Sequence, residues 1–504
     1  MIYAIIKAKK TLSKRKIMDY KQLYKKFNEN DNESEIRYVP NADCIDFLMD
    51  NAPRLYCPDS VIEETFAFRT WVMRKHIRKT DDGFMITEFL PNVYWAGKHN
   101  TINAPLVHHL NEFRWLKNAD WYLDYLAFFL KGEGDRYSYH VPALTEMYNY
   151  CKVTGNDEFI ERNKTAFEDY FKGWEERQLT ANGLYWSIDD REGTEYSISG
   201  TNSALKFNKG LRVIMNSCMY GDALTLSKIF KGTDKGKYYL EKANSIKKMM
   251  DERMWDGDFY KSIHPADDNV DKMLTCKDIP ADCNVLELMG YAPWMYSMPD
   301  SGKEFVFKHL KDEKVFKAKT GLSTADQSHP RYLYTVSHKA CCWNGFVWPF
   351  ATSIVINALI ELLNNYNQEI ISESDLYEIV KTYAKMHYLL EDGKKINFID
   401  EVMLPDDYVW YAREYLKKKG DVPKEWGGVE RGKDYNHSTF IDGVLRGLCG
   451  VNVNSETLEL NPRIKGIWKW FKIENLTFKK KTYTVYYDED GSVFNKGKGI
   501  IIEE

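Results

Sequence analysis

The 504-residue sequence has no excess of basic charge, few cysteines and no long apolar run. Its 70 lysines and arginines are interspersed among 74 acids, so no stripe of cations follows a phosphate backbone, and no nucleic-acid partner is expected. The nine cysteines are odd in number, irregularly spaced and free of CxxC pairs, which speaks against a disulfide framework and a structural zinc site. No run approaches the ~18 apolar residues of a membrane span, so no membrane partner is expected. The opening MIYAIIKAKKTLSKRK places a short apolar run before its lysines, the wrong order for a secretory leader, and a cytoplasmic location is the expectation. GxxxxGK[ST], GxGxxG and GxSxG are missing, which removes kinases, Rossmann dehydrogenases and α/β-hydrolases. HExxH is absent too, and the adjacent His108 and His109 would point in different directions on a helix, so neither a metal nor another cofactor is expected. Nothing in the sequence sets an oligomeric state.

Aromatic residues are plentiful: 14 Trp, 34 Tyr and 25 Phe. Most serve to fill a core. Others stand beside Asp, Asn and Gly in loop-like segments, as in Asn92-Val93-Tyr94-Trp95-Ala96-Gly97 and Trp343-Asn344-Gly345. Ring faces pack on the C–H faces of pyranoses while acids and amides take the hydroxyls, a combination that points to carbohydrate.

Helical periodicity begins at Ser60, read as an N-cap, and the first helix is expected to end near Asp82-Gly83 before a strand-like run from Phe84 to Leu90. It recurs over Pro105–Leu116, Ala119–Leu130, Tyr139–Thr154, Asp157–Gln178, Leu211–Phe230, Lys237–Trp255, Val285–Tyr296, Lys303–Lys311, Pro349–Tyr366, Glu373–Tyr388 and Thr439–Gly450. Short turns join some neighbours; long aromatic and acidic segments join others, and long loops in compact domains usually carry function. The pattern predicts a mainly α fold, an (α/α)6 barrel of helical hairpins with its long loops gathered at one face. Residues 1–58 are set apart as an N-terminal extension whose charged Lys21–Arg37 stretch is expected to be mobile. Residues 59–454 form the barrel, and 455–504, with alternating runs around Trp470 and Thr482 and a turn at Asp490-Gly491, form a small antiparallel β unit packed on it.

Glycosidic hydrolysis commonly needs two carboxyl groups across the scissile bond, one protonated and one activating water. Two long loops offer acids among rings. Gly183–Asn208 carries Glu195, between Thr194 and Tyr196, with Asp190 and Glu192 as rivals; Asn397–Pro405 carries Glu401 in an otherwise apolar run, with Asp400 as its rival. Trp186, Tyr196, Trp343 and Trp348 are candidate sugar platforms, and Arg114, Asn202, Asn436 and His437 are candidates for hydroxyl contacts.

These segments resemble a known group. Asp190-Arg191-Glu192-Gly193-Thr194-Glu195-Tyr196-Ser197, followed by Asn216-Ser217-Cys218-Met219-Tyr220-Gly221-Asp222-Ala223, is similar to the acid-bearing loop and next helix of six-hairpin glycosidases. The nearest group is the mannosylglycerate-hydrolase-like glycoside hydrolases, related to trehalases and processing α-glucosidases. Trp343–Pro349, Asp400-Glu401 and Asp434–Thr439 resemble its later segments, so that the likeness spans roughly residues 60–500. It implies an (α/α)6 barrel and an inverting glycosidase, with Glu195 at the acid's position and Glu401 at the base's. Two departures stand out: trehalase-type loops carry Asp where this chain has Glu195, and their Arg-Gly-Pro-x-Trp is here Asn344-Gly345-Phe346-Val347-Trp348, without the arginine. Neither trehalose nor mannosylglycerate is therefore carried over as substrate. The rivals on the same fold are a sugar epimerase or a polysaccharide lyase, for which His108, His109, His437 and Tyr435 are the candidate groups; a carbohydrate-binding pseudoenzyme is the non-enzyme rival.

Overall fold

A computed structural model describes residues 18–201, 208–334 and 339–504. Six helical elements, Leu106–Phe113, Leu144–Thr154, Val213–Ile229, Leu288–Tyr296, Pro349–Asn365 and Phe440–Leu448, each pack on the next, and the last returns to the first. This is the inner ring of an (α/α)6 barrel. Its members are apolar on nearly every side because they are covered on every side: all eight residues of Leu106–Phe113 are buried, as is almost every residue of Val213–Ile229 and of Pro349–Leu362. The outer layer is Ser60–Lys75, Leu123–Leu130, Lys164–Gln178, Asp234–Arg253, Glu304–Lys311 and Glu373–Met386. Asp234–Arg253 shows the outer pattern, burying Tyr239, Ala243, Ile246 and Met250 and exposing Lys235, Lys237 and Lys248.

Several boundaries differ from the periodicity. The first helix is capped by Asp59, whose carboxylate accepts from the Val61 and Ile62 amides, and not by Ser60. It stops at Lys75, because Ile77–Thr80 and Gly83–Ile86 form a hairpin turned at Gly83, where φ is +98°. Leu288–Tyr296 and Glu304–Lys311 are tight 3-10 helices, the first interrupted by Pro293, which has no N–H to donate. The last inner element is one α turn, Phe440–Asp442, continued as a π-helix over Gly443–Leu448. Tyr411–Lys419 is a helix inside a segment read as loop.

The N-terminal segment is built into the fold. Tyr20–Glu29 packs on Ser60–Lys75 through Leu23, Tyr24 and Phe27, so the stretch expected to be mobile carries a helix. Arg54–Tyr56 becomes the edge strand of the β unit, giving an antiparallel sheet in the order Arg54–Tyr56, Trp470–Phe478, Lys481–Asp488, Gly499–Glu503. Arg54 faces Glu474 in register and pairs with it at 3.2 Å. Lys75 ties these parts to the barrel mouth: its buried ammonium lies 3.0 Å from Asp31 and 2.5 Å from Asp434, both buried, while Lys433 also reaches Asp31 at 2.7 Å.

Removing one member of such a cluster leaves uncompensated buried charge. Lys75→Met is expected to cost about 3–5 kcal/mol, read as a lowered urea midpoint. Lys25→Met, which breaks an exposed pair with Glu29, is expected to change stability by less than about 1 kcal/mol.

Candidate active site

The long connections all precede inner helices, so they meet at the N-terminal end of the ring. There they enclose a cavity of about 360 Å³ lined from five of the six connections. Glu88 and Trp95 come from the first, Tyr139 from the second, Asp190 and Glu195 from the third, Cys341 and Trp348 from the fifth, and Glu401, Arg431 and His437 from the last. Glu195 and Glu401, some two hundred residues apart in the chain, thus line one cavity.

Arg212 sorts the acids of the Glu195 loop. Its buried guanidinium binds Glu192 at 2.7 Å, Thr194 and Ser197 at 3.2 Å, and Ser199 at 3.1 Å. Glu192 is committed to that pair and does not line the cavity. Asp189 is buried beneath the loop, accepting from Ser197. Asp190 lines the cavity from its rim, with Arg191 at 3.8 Å. Glu195 is different: among the described residues no other side chain donates a hydrogen bond to its carboxyl. Burial, with the charges of Asp190 and Glu401 adding to it, raises its pKa to about 8 against the opposition of its own backbone amide. The neighbouring Tyr196 has φ +60°, an uncommon conformation for a residue with a Cβ. The Trp343 amide donates to the Glu195 carbonyl at 3.0 Å and locks the two loops together.

Glu401 has the opposite surroundings. Arg431 Nη2 lies 3.4 Å from its Oε2, and the guanidinium rests over Trp95, 5.3 Å from the ring centre. Cys341 Sγ is 3.8 Å from the same carboxylate oxygen. Asp400 points away from the cavity, is buried, and accepts the Glu401 amide at 2.6 Å. Burial and the Glu401 charge raise the Asp400 pKa to about 7. Gly432 covers it so closely that a Cβ there would fall 1.8 Å from Asp400 Oδ1, which ties the 400 and 432 segments together.

The remaining sequence candidates divide. Trp348 lines the cavity, with Trp343 stacked behind it at 4.6 Å. His437 lines it as well. Trp186 does not: it packs edge-on to His140 under the Lys209 ammonium and donates to Arg177. Tyr196 faces Lys339 and is not part of the lining. Arg114 does not line this cavity; it pairs with the buried Asp442 and lines a separate cavity framed by the inner elements. Asn436 is held by Arg69 beneath the cavity, and Asn202 lies outside the described residues. His108 and His109 are buried against Phe350 and Tyr125. Among the described residues, no group of three or more His, Cys, Asp or Glu is arranged to hold a metal ion, and no helix is long and apolar enough to cross a membrane. Sequence reasoning passed over Glu88, although the signal was present: like Glu401, it is an acid inside an apolar run, Ile86-Thr87-Glu88-Phe89-Leu90.

Residues 98–438 match the family model described as the mannosylglycerate hydrolase MGH1-like glycoside hydrolase domain. The chain belongs to this family. A solved structure titled "Sialidase" is similar to this MGH1-like chain at 28% identity and a TM-score of 0.83, covering 97% of the chain and 43% of the sialidase. The chain thus spans less than half of that relative. A mannosylglycerate hydrolase from Thermus thermophilus, solved in complex with glucose, is 11% identical with a TM-score of 0.50, covering 76% of this chain and 99% of that one, a likeness of fold. No curated protein matches the chain.

The environment of Glu195 has a thermodynamic signature in this MGH1-like domain. With a folded pKa of about 8 and an ordinary unfolded value, the native state holds a proton that the unfolded chain releases between about pH 4.5 and 8. Stability therefore falls as pH rises through that window. Glu195→Gln is expected to melt higher than the wild type at pH 8.5, by about 1 °C or more, and alongside it at pH 4.5. A difference of the same size at both pH values would refute the desolvated carboxyl.

Proposed function

We propose that the chain is a glycosidase that hydrolyses a glycosidic bond in an oligosaccharide or small glycoside by single displacement, with Glu195 as general acid and Glu401 as general base. The observation that carries this reading is the contrast between two carboxyl groups of one cavity. Among the described residues Glu195 has no cation paired with it, and its pKa is raised to about 8, while Glu401 sits against a guanidinium. The first keeps a proton to give at neutral pH; the second, beside Arg431, is placed to take one.

In the step itself, Glu195 transfers its proton to the glycosidic oxygen as the bond from that oxygen to the anomeric carbon breaks. Glu401 takes a proton from water, whose oxygen forms the new bond to the anomeric carbon from the opposite face. Glu195 is left as a carboxylate and Glu401 protonated, and exchange with solvent restores both. An inverting geometry asks for carboxyl groups about 6.5–9.5 Å apart, with room for the water. Trp95 and Trp348 offer ring faces to the sugar. A cavity of about 360 Å³ lies toward the lower end of small-ligand sites, which favours a terminal sugar residue over the middle of a polymer. The sialidase and mannosylglycerate hydrolase relatives support the reaction class and disagree about the sugar.

A panel of aryl glycosides and oligosaccharides, followed by NMR of the first-formed anomer, tests the reading. Glu195→Gln and Glu401→Gln are each expected to lower kcat/KM by about 10²–10⁴-fold. The Glu195 variant should lose less on a dinitrophenyl leaving group, which needs no proton. The wild-type kcat/KM should fall above about pH 8, where Glu195 deprotonates, and that limb should vanish in Glu195→Gln. Undiminished turnover by Glu195→Gln, or a first product of retained configuration, would sink the assignment.

A further inference from the structure

A third carboxyl group faces the same cavity and has no part in the acid and base roles. Glu88 follows the Gly83–Ile86 strand and is only 6% exposed, yet it lines the cavity. Among the described residues, no N–H or O–H donates a well-directed hydrogen bond to it. His437 Nε2 lies 3.1 Å from Glu88 Oε1 without the alignment of a hydrogen bond. Burying an acid without a partner is costly, and the fold does not relieve the cost by letting the segment move. The backbone on both sides of Glu88 is pinned: the Thr87 amide donates to the His76 carbonyl at 3.1 Å, and the Phe89 carbonyl accepts from Asn100 at 3.2 Å. His76 in turn contacts the Asp434 carbonyl at 2.7 Å, which holds this segment against the one bearing Tyr435 and His437.

We infer that Glu88 is a substrate-contacting residue that hydrogen-bonds a hydroxyl of the sugar bound between Glu195 and Glu401, and that His437 and Tyr435 are the positioning residues that aim it. The hydrogen-bond inventory fits. Tyr435 Oη and His437 Nδ1 are 2.5 Å apart. Burial holds the Tyr435 hydroxyl protonated and the His437 ring neutral, the latter with help from the imidazoles of His108, His109 and His76. Tyr435 Oη and His437 Nδ1 thus share one hydrogen bond, and Nε2 is the ring nitrogen that faces Glu88. Burial and the charges of Glu401 and Glu195 push the Glu88 carboxyl well above its ordinary range. A neutral carboxylic acid both donates and accepts, the pair of functions a sugar hydroxyl also has. A site built to hydrogen-bond a hydroxyl discriminates strongly against the ligand that lacks it, because the buried group is then left unpaired.

This inference rests on the proposed glycosidase site, and its test is read by binding so that the two fail separately. Isothermal titration calorimetry would compare the wild type, Glu88→Gln and Glu88→Ala against a panel of neutral hexopyranoses and their monodeoxy analogues. For the sugar bound best, loss of one particular hydroxyl is expected to weaken wild-type binding about tenfold or more. The same loss should weaken Glu88→Ala by less than about threefold. Glu88→Gln, which still donates and accepts, should keep the wild-type ranking, and His437→Ala should blunt the discrimination at that hydroxyl while leaving the others unchanged. Equal penalties for every deoxy sugar in the wild type and Glu88→Ala, binding of no sugar by any of the proteins, or a Glu88→Gln variant as indiscriminate as Glu88→Ala would overturn it. If binding behaves as expected but Glu195→Gln retains turnover, the acid assignment fails and the Glu88 contact stands.

Discussion

Two buried guanidinium groups order the carboxyl groups at the mouth of the barrel. Arg212 gathers Glu192, Thr194, Ser197 and Ser199 and offers nothing to Glu195. Arg431 goes to Glu401. The result is a sorting of carboxyl groups by access to positive charge, within one cavity and between residues of identical type. Glu401 has a guanidinium beside it, whereas burial raises the pKa of Glu195. The acids of the 189–195 loop cannot be told apart by composition; Arg212 takes Glu192, and Asp190 lies at the rim beside Arg191.

The sorting requires the loops to hold still against one another. They come from distant parts of the chain, and backbone groups do much of the holding. Trp343 donates to the Glu195 carbonyl, Val347 and Met403 exchange bonds in both directions, and Asp434 donates to the Ile399 carbonyl. Gly432 lets the last connection close over Asp400 where any side chain would collide. The Lys75, Asp31, Asp434 and Lys433 cluster then fastens the last connection to the N-terminal segment. Residues 18–58 therefore support the cavity from outside the helical ring.

Much of this was legible in the sequence, and what was not has identifiable causes. The hairpin count followed from the 3.6-residue period and the alternation of short turns with long segments, because each helix must bury a face and each long loop must have a face to gather on. Glu195 and Glu401 stood out as acids among rings. Glu88 carried the same signal as Glu401 but fell in a run read as a strand, where alternation accounts for a polar residue without appeal to a site. The partner of Arg114, a candidate for hydroxyl contact, was not legible: Asp442 lies more than three hundred residues away and only the closed ring brings the two together. The strand Arg54–Tyr56 was invisible for a related reason. Three residues carry no usable period, and its partner Trp470–Phe478 is at the other end of the chain.

The placement of the cavity also bears on how the fold tolerates it. Glu88, Glu195 and Glu401 converge with little charge to balance them, a cost that falls on folding. Five of the six inner helical elements begin just after a connection that lines the cavity. Their unsatisfied amides and the positive ends of their dipoles are thus turned toward the end of the ring where the acids gather, and each such terminus favours negative charge nearby. The effect is modest for any one helix and falls off within a turn, so it moderates the repulsion without neutralising Glu195. A lysine or arginine placed in the cavity would relieve the acids more fully, but it would lower the raised pKa of Glu195. The fold instead draws its stability from the apolar inner helices and the peripheral ion pairs, and leaves the mouth of the ring electrostatically strained.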